Sequence, residues 1–324
     1  MKDQEVKQSL NDDNYMLFPD EREGEKTNNA DVALEEVTPL KSLIGNMNEA
    51  DFFSDIWEKK YKTVNKSFDF AKLFDIGHLG QMLCVPRPEI KANITMGKMV
   101  DGEYHGVVVS LEDGSADMYE IYRLWAEGYS LIVPELHRRW EPIVEFTNKL
   151  SEQFGFKVEA NLYYTPSNAV AFPAHYDTHD IFVVQISGEK KWYLYKSRTK
   201  LPLKSQRYDI EDINLKKDLA AKKSQVILKT GEVMYLPRGQ VHSAESGSSP
   251  SMHLSIGIHS VRWLDILNEI VGHHAASSLF LRSAVSQECI KNGINKETIT
   301  KITDIIADTP KNWQKILEEL TYKT

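Results

Sequence analysis

Two histidines and one aspartate constrain this chain more than any other feature. They stand in Ala174-His175-Tyr176-Asp177 and, 65 residues beyond the aspartate, in His242. Two imidazoles and a carboxylate occupy one face of a six-coordinate ion such as Fe(II) and leave three positions open; manganese and zinc accept the same donors. Successive strand side chains point to opposite faces, so a strand here would present His175 and Asp177 together and turn Tyr176 away. Gly231-Glu-Val-Met-Tyr-Leu-Pro237-Arg-Gly239-Gln-Val-His242 reads as a short apolar strand, a Pro/Gly turn and a return strand opening on histidine. Taken singly, His-x-Asp is a common surface tripeptide and His242 a turn histidine. The weight comes from the two halves together, in their Gly-x5-Pro-x-Gly-x2-His context.

The residues after the aspartate add a second requirement. Ile181 to Ile186 is a buried-looking strand, Ser187-Gly188 a turn, and Glu189 to Tyr195 a return strand with Trp192 and Leu194 on one face. Alternation puts Lys190 on that face, where a cation is costly unless it meets an anion. An anionic cosubstrate that chelates the metal at one end and sets a carboxylate on Lys190 at the other would meet that need. The competing arrangement turns Lys191, Tyr193 and Tyr195 inward and leaves Lys190 in solvent.

These segments, with Asn161-Leu-Tyr-Tyr-Thr-Pro166, resemble the JmjC-type 2-oxoglutarate oxygenases of the cupin superfamily, most of all the ribosomal oxygenase branch, which hydroxylates ribosomal-protein side chains. Phe52-Phe-Ser-Asp-Ile-Trp57-Glu-Lys-Lys60 and Glu127-Gly-Tyr-Ser-Leu-Ile132 are similar to that branch too, so the resemblance spans roughly residues 40 to 262. It implies that His175, Asp177 and His242 bind Fe(II), that Lys190 pairs with the far carboxylate of 2-oxoglutarate, and that Asn161, Tyr163 and Ser255 line the cosubstrate pocket. Ordinary strand polarity is the other reading of the last three. Dioxygen would take the remaining metal position, with succinate and carbon dioxide as coproducts. The resemblance further implies a mainly β fold with flanking helices: a double-stranded β-helix (jelly-roll, cupin) barrel plus a C-terminal helical module, assembled as a homodimer. The branch carries a dimerisation region and a winged helix after its barrel, whereas 62 residues follow Arg262 here.

Composition fits such an enzyme, with 41% hydrophobic residues to fill a core and no apolar run of membrane-spanning length. Met1-Lys-Asp-Gln is no signal peptide, and Cys84 and Cys289, far apart and expected in buried packing, fit a reducing cytoplasm. Residues 1–36 carry eleven acidic and four basic residues, seven of the chain's eight net negative charges, so the acidity belongs to an expected disordered tail over 1–38. No basic stripe for nucleic acid is present.

Residues 39–262 are expected to form the catalytic domain, helical to about 157 and barrel from 158. Helices are expected after Asn48 (carrying Phe52, Phe53, Ile56 and Trp57), over Met118–Glu127 and over Glu141–Phe154. Lys196–Lys223 reads as a polar insertion beside the metal, and 263–324 as the helical module, with two further helices around Thr309-Pro310. Ile266, Leu267, Ile270 and Val271 at helical spacing offer a twofold interface. The expected function is hydroxylation of a protein or peptide side chain. The same chemistry on a small molecule is the alternative, and a non-oxygenase cupin a third reading.

Overall fold

The computed structural model describes residues 37–208, 213–220, 223–307, 317–318 and 320. The tail expected over 1–38 falls, but for its last two residues, outside them. The chain divides into two compact units, one of residues 1–153 with 158–258 and one of 154–157 with 259–324.

The first unit opens with α1 (Pro39–Ile44), α2 (Glu49–Asp55), β1 (Lys62–Val64) and α3 (Ile76–Leu83). Asn48 caps α2 by accepting from the Ala50 N–H at 2.8 Å. The helix ends before Trp57, whose ring nonetheless stacks on Tyr235 at 5.6 Å, while Phe52 packs against Phe182 and Tyr235. Next come β2 (Thr95–Val100), β3 (Glu103–Val108), α4 (Met118–Ala126), β4 (Ser130–Val133) and α5 (Glu141–Phe154). The stretch before 157 is therefore not helical throughout, because four of its segments are strands. The β2–β3 hairpin turns on Asp101-Gly102, with φ of 51° and 86°, the two-residue turn that suits strand twist. Glycines and charges within these short strands hide the alternation that would betray them.

The barrel strands follow: β5 (Lys157–Thr165), β6 (Asp180–Ser187), β7 (Glu189–Leu194), β8 (Ser224–Lys229), β9 (Val233–Leu236), β10 (His242–Ser246) and β11 (Ser251–His259), with α6 (Ile213–Ala220) inside the expected insertion. An eight-stranded sheet runs β1-β9-β6-β11-β5-β4-β2-β3, and a three-stranded sheet runs β10-β7-β8. Ile181, Val183, Met234 and Leu236 of the large sheet bury against Trp192, Leu194 and Leu228 of the small one. This two-sheet packing is the double-stranded β-helix, held by removal of apolar side chains from water.

A buried polar cluster ties α2 to the barrel. The Tyr235 hydroxyl donates to Asp180 Oδ1 at 2.6 Å and accepts from Glu58 N–H at 2.8 Å, and Arg238 pairs with Glu58 at 2.5 Å. Burial pushes the Asp180 carboxyl up to about 6.

The second unit contains α7 (Trp263–Ser277), α8 (Leu279–Arg282), α9 (Gln287–Asn292) and α10 (Lys296–Ala307), with Lys301 Nζ 4.4 Å from the Phe280 ring centre. The helix expected beyond Pro310 lies largely outside the described residues. Contrary to expectation the cysteines are not buried: Cys84, at the C-cap of α3, is exposed, and Cys289, on the short α9, is half-buried. No helix among the described residues is long and apolar enough to cross a membrane.

Candidate metal centre and cavity

His175 and His242 face one another across a single antiparallel bridge, with His175 N–H donating to His242 O at 2.9 Å and His242 N–H to His175 O at 2.7 Å. His175 and Asp177 thus sit on an extended segment with one bridge and not on a regular strand, because the Pro173 end and the 178–179 bend interrupt pairing. Alternation survives. Tyr176 turns away into a small core with Val241, its hydroxyl donating to Gln206 O at 3.0 Å. The turn after β9 completes the lock: Gly239, at φ 83°, donates its N–H to Asp177 O at 2.9 Å. A Cβ there would meet Thr199 O at 2.7 Å, so glycine is required on two counts.

One ligand atom from each of His175, Asp177 and His242 lies within 4.8 Å of the others. In both rings Nδ1 lies 2.9 Å from a backbone carbonyl, Pro173 O for His175 and Gln240 O for His242. A carbonyl can only accept, so Nδ1 carries the hydrogen and Nε2 is left as a lone pair. Burial, reinforced by His175, lowers the His242 pKa to about 4, which keeps that ring neutral. Burial opposes ionisation of Asp177, but the electrostatic pull of the neighbouring His242, His175 and His179 rings outweighs it and holds the carboxyl below its usual range. Two imidazole nitrogens and one carboxylate suit a divalent transition metal.

The three line a cavity of about 440 Å³ together with Asn161, Tyr163, Lys190 and Ser255, so the structure brings every sequence-predicted site residue to one place. Lys190 is 3% exposed and donates to Thr165 Oγ1 at 2.9 Å, with His253 Nδ1 at 3.5 Å. Burial pushes its pKa down to about 7. Burial, then Lys190, holds His253 well below the usual imidazole range, so this ring is neutral and accepts from the ammonium. His253 stacks on Tyr163 at 5.0 Å and meets Trp192 edge-on at 5.5 Å. The buried Nε1–H of Trp192 has no partner among the described residues. A buried cation and an orphaned donor in a cavity beside two lone pairs fit an anionic chelator. Burial, then Asp177, raises the Tyr163 phenol, so it stays protonated. Asn161 Oδ1 accepts from Glu135 N–H at 3.0 Å, which leaves its NH2 to serve the cavity.

Thr165 and His253 were not singled out in the sequence, although both were reachable. Thr165 follows Tyr163 by two on β5, and His253 precedes Ser255 by two on β11, so alternation sets each on the same face as a named neighbour.

The depressed Lys190 pKa has a consequence for stability. An unfolded lysine titrates near 10.5 and the folded one near 7, so the folded protein binds fewer protons between those values and this group's penalty is fullest below pH 7. Lys190→Met should therefore raise the thermal midpoint of ligand-free protein at pH 6.5, with the gain shrinking toward pH 10. A loss of stability that is the same at every pH would contradict this.

Residues 136–266 match the JmjC domain family model. The chain is 25% identical over 275 residues to ribosomal oxygenase 2 of Rattus norvegicus, covering 81% of this chain and 57% of that protein. It is 29% identical over 264 residues to the bifunctional lysine-specific demethylase and histidyl-hydroxylase NO66 of Drosophila persimilis, covering 78% of this chain and 37% of the relative. The chain thus spans about half or less of these relatives' length. Its fold is similar to crystal structures of the Escherichia coli ribosomal oxygenase YcfD, at 16% identity and TM-score 0.56 over 82% of this chain and 68% of that one. A YcfD structure in complex with cobalt and 2-oxoglutarate superposes at TM-score 0.55 with 15% identity, over 82% of this chain and 67% of that one. The JmjC match over residues 136–266, the two-sheet barrel and the converging His-Asp-His set make this chain similar to the JmjC-type oxygenases, ribosomal oxygenases among them.

Proposed function

We propose that the chain is an Fe(II)- and 2-oxoglutarate-dependent oxygenase that hydroxylates an amino-acid side chain of a protein. The observation that carries this reading is Lys190, a buried cation in the cavity that also holds two outward Nε2 lone pairs and an ionised carboxylate. A barrel that only held a metal would have no use for it. His175, Asp177 and His242 would hold the iron. When bound, iron and 2-oxoglutarate supply an oxidant able to replace C–H by C–OH, with succinate and carbon dioxide as coproducts.

The protein's residues hold the reactants and keep water out. Pro173 O and Gln240 O fix the two imidazoles through Nδ1–H, so each ring meets a metal in one tautomer. A carboxylate docked on Lys190 would raise its pKa again and hold it as the ammonium, which Thr165 and His253 already orient. Asn161, Tyr163 and Ser255 would give it further polar contacts. Ile181 and Trp192 line the same cavity with apolar surface, so the pair forms away from bulk water, where electrostatic attraction is stronger. The likeness to a ribosomal oxygenase and a histidyl-hydroxylase supports a protein side chain over a small molecule.

The test is succinate formation from 2-oxoglutarate, with and without iron, alongside mass spectrometry for gain of one oxygen atom on ribosomal proteins. His175→Ala and Asp177→Ala should abolish turnover in folded protein. Lys190→Ala should leave metal binding intact and weaken 2-oxoglutarate by about a hundredfold to a few thousandfold, since breaking a buried charge pair costs about 3–5 kcal/mol. Turnover that survives loss of Asp177 would contradict the assignment, and oxygen gained only by small molecules would move the substrate class.

Assembly as a homodimer belongs to the same reading. Of the expected stripe, Leu267 and Val271 of α7 are 46% and 37% exposed, but Ile270 is buried and Ile266 half-buried, so the apolar stripe a twofold partner would cover runs instead through Trp263 and Leu264, 81% and 41% exposed. Light scattering should give about twice the 37.1 kDa chain mass, and a monomer at micromolar concentration would contradict it. Two free thiols suit a reducing cytoplasm, where we place the protein.

A further inference from the structure

Among the described residues β3 is the outer strand of the large sheet, and its exposed edge adjoins the cavity through Tyr104. The hairpin register fixes which backbone groups face outward. Val100 and Glu103 flank the two-residue turn, so the pairs 100/103, 98/105 and 96/107 exchange hydrogen bonds across the hairpin. The N–H and C=O groups of Tyr104, Gly106 and Val108 therefore point away from β2. Met99, opposite Tyr104, obeys the same parity and sends its N–H away from β3 to Val170 O at 3.3 Å. The edge carries no proline, lysine or bulge, the devices that ordinarily discourage pairing with another chain. Tyr104 and Val108 are 42% and 56% exposed, and Gly106 between them has no side chain to keep another backbone at a distance.

A path connects this edge to the metal centre. Gly97 and Gly106 lie opposite each other, and a Cβ on Gly97 would fall 2.7 Å from the Tyr104 hydroxyl, while one on Gly106 would fall 3.0 Å from the ring. The glycine pair is the floor on which Tyr104 lies. Above it Phe172 stacks on Tyr104 at 5.1 Å and 15°, and Phe172 meets His175 edge-on at 6.1 Å. Two aromatic rings thus lead from the edge to the first metal-site histidine.

We propose that an extended segment of the protein substrate adds to the free edge of β3 as a further strand, so that the residues beside it pass over Tyr104 and Phe172 into the cavity. This rests on the reading of the site as a protein hydroxylase. The occupant is a polypeptide because three alternating residues present outward donors and acceptors at strand spacing, which another backbone matches and a small molecule does not. Tyr104 and Phe172 separate the edge from His175, so the docked strand is the flank of the target residue and not the target. Tyr104, lying on the path, is a positioning residue for the incoming chain.

The probe is a set of overlapping synthetic peptides from ribosomal proteins, from which the shortest peptide hydroxylated by the intact wild-type protein is taken. Val108→Pro removes one outward N–H while leaving the hairpin's own hydrogen bonds in place, and Val108→Ala removes the side chain alone. Val108→Pro should raise the peptide KM at least tenfold, with peptide-independent succinate formation unchanged, and Val108→Ala should behave as wild type. Should Val108→Pro fail to fold, amide exchange in the wild-type protein decides. With succinate present and oxygen excluded, the peptide should protect the Tyr104, Gly106 and Val108 amides. Peptide turnover insensitive to Val108→Pro, or no protection of these amides, overturns edge docking and leaves the hydroxylase reading standing. Protection that follows protein concentration without peptide would mean a second copy occupies the edge, which also overturns it. Iron-dependent succinate formation with no peptide hydroxylated would instead remove the protein-substrate reading, and this inference with it.

Discussion

The arrangement of the centre depends on one backbone pairing, the bridge between His175 and His242. Opposed residues of an antiparallel pair carry their side chains to the same face, so this bridge sets two imidazoles side by side, with ring centres 4.6 Å apart. Gly239 N–H on Asp177 O holds the carboxylate-bearing residue to the same turn. The ligand set is thus fixed by main-chain hydrogen bonds, and β6, β9 and β10 carry it on the buried core between the two sheets. The metal is not needed to bring its own donors together, which is why ligand variants should fold.

Against that rigid frame Lys190 stands as an unneutralised charge. The strand β7 turns it inward along with Trp192 and Leu194, and the described residues around it answer it with a hydroxyl and a neutral imidazole but no carboxylate. Desolvation without a counter-ion lowers the pKa and costs stability, a cost that folding alone does not explain. Binding of a dicarboxylate would offset it. The polar end of the cavity and the metal end are then two halves of one chelating site, with the stacked rings of Phe172 and Tyr104 in its wall.

Much of this was legible in the sequence because strand alternation is a short-range rule. Lys190 inward with Trp192 and Leu194, Tyr176 away from His175 and Asp177, and His242 opening a strand after a Pro/Gly turn all follow from counting by twos. Thr165 and His253 obey the same rule, but neither residue type signals a cosubstrate by itself. Other features were not legible. The β1–β4 strands are short, with β2 and β3 also interrupted by glycine and charge, and they gain their strand character from joining the large sheet, which is a long-range effect. Tyr104 reaches the cavity from a hairpin 71 residues before His175, and only the Gly97–Gly106 pairing beneath it explains its pose.

The central claim is that one cavity chelates a metal and a 2-oxo acid together, and anaerobic visible absorption tests it directly. Fe(II) and 2-oxoglutarate added together to the wild-type protein should produce a metal-to-ligand charge-transfer band that neither produces alone. The band should vanish in Asp177→Ala and require far more 2-oxoglutarate in Lys190→Ala. Stoichiometric iron binding with no such band at saturating 2-oxoglutarate would contradict the account, leaving a metal-binding barrel without its cosubstrate.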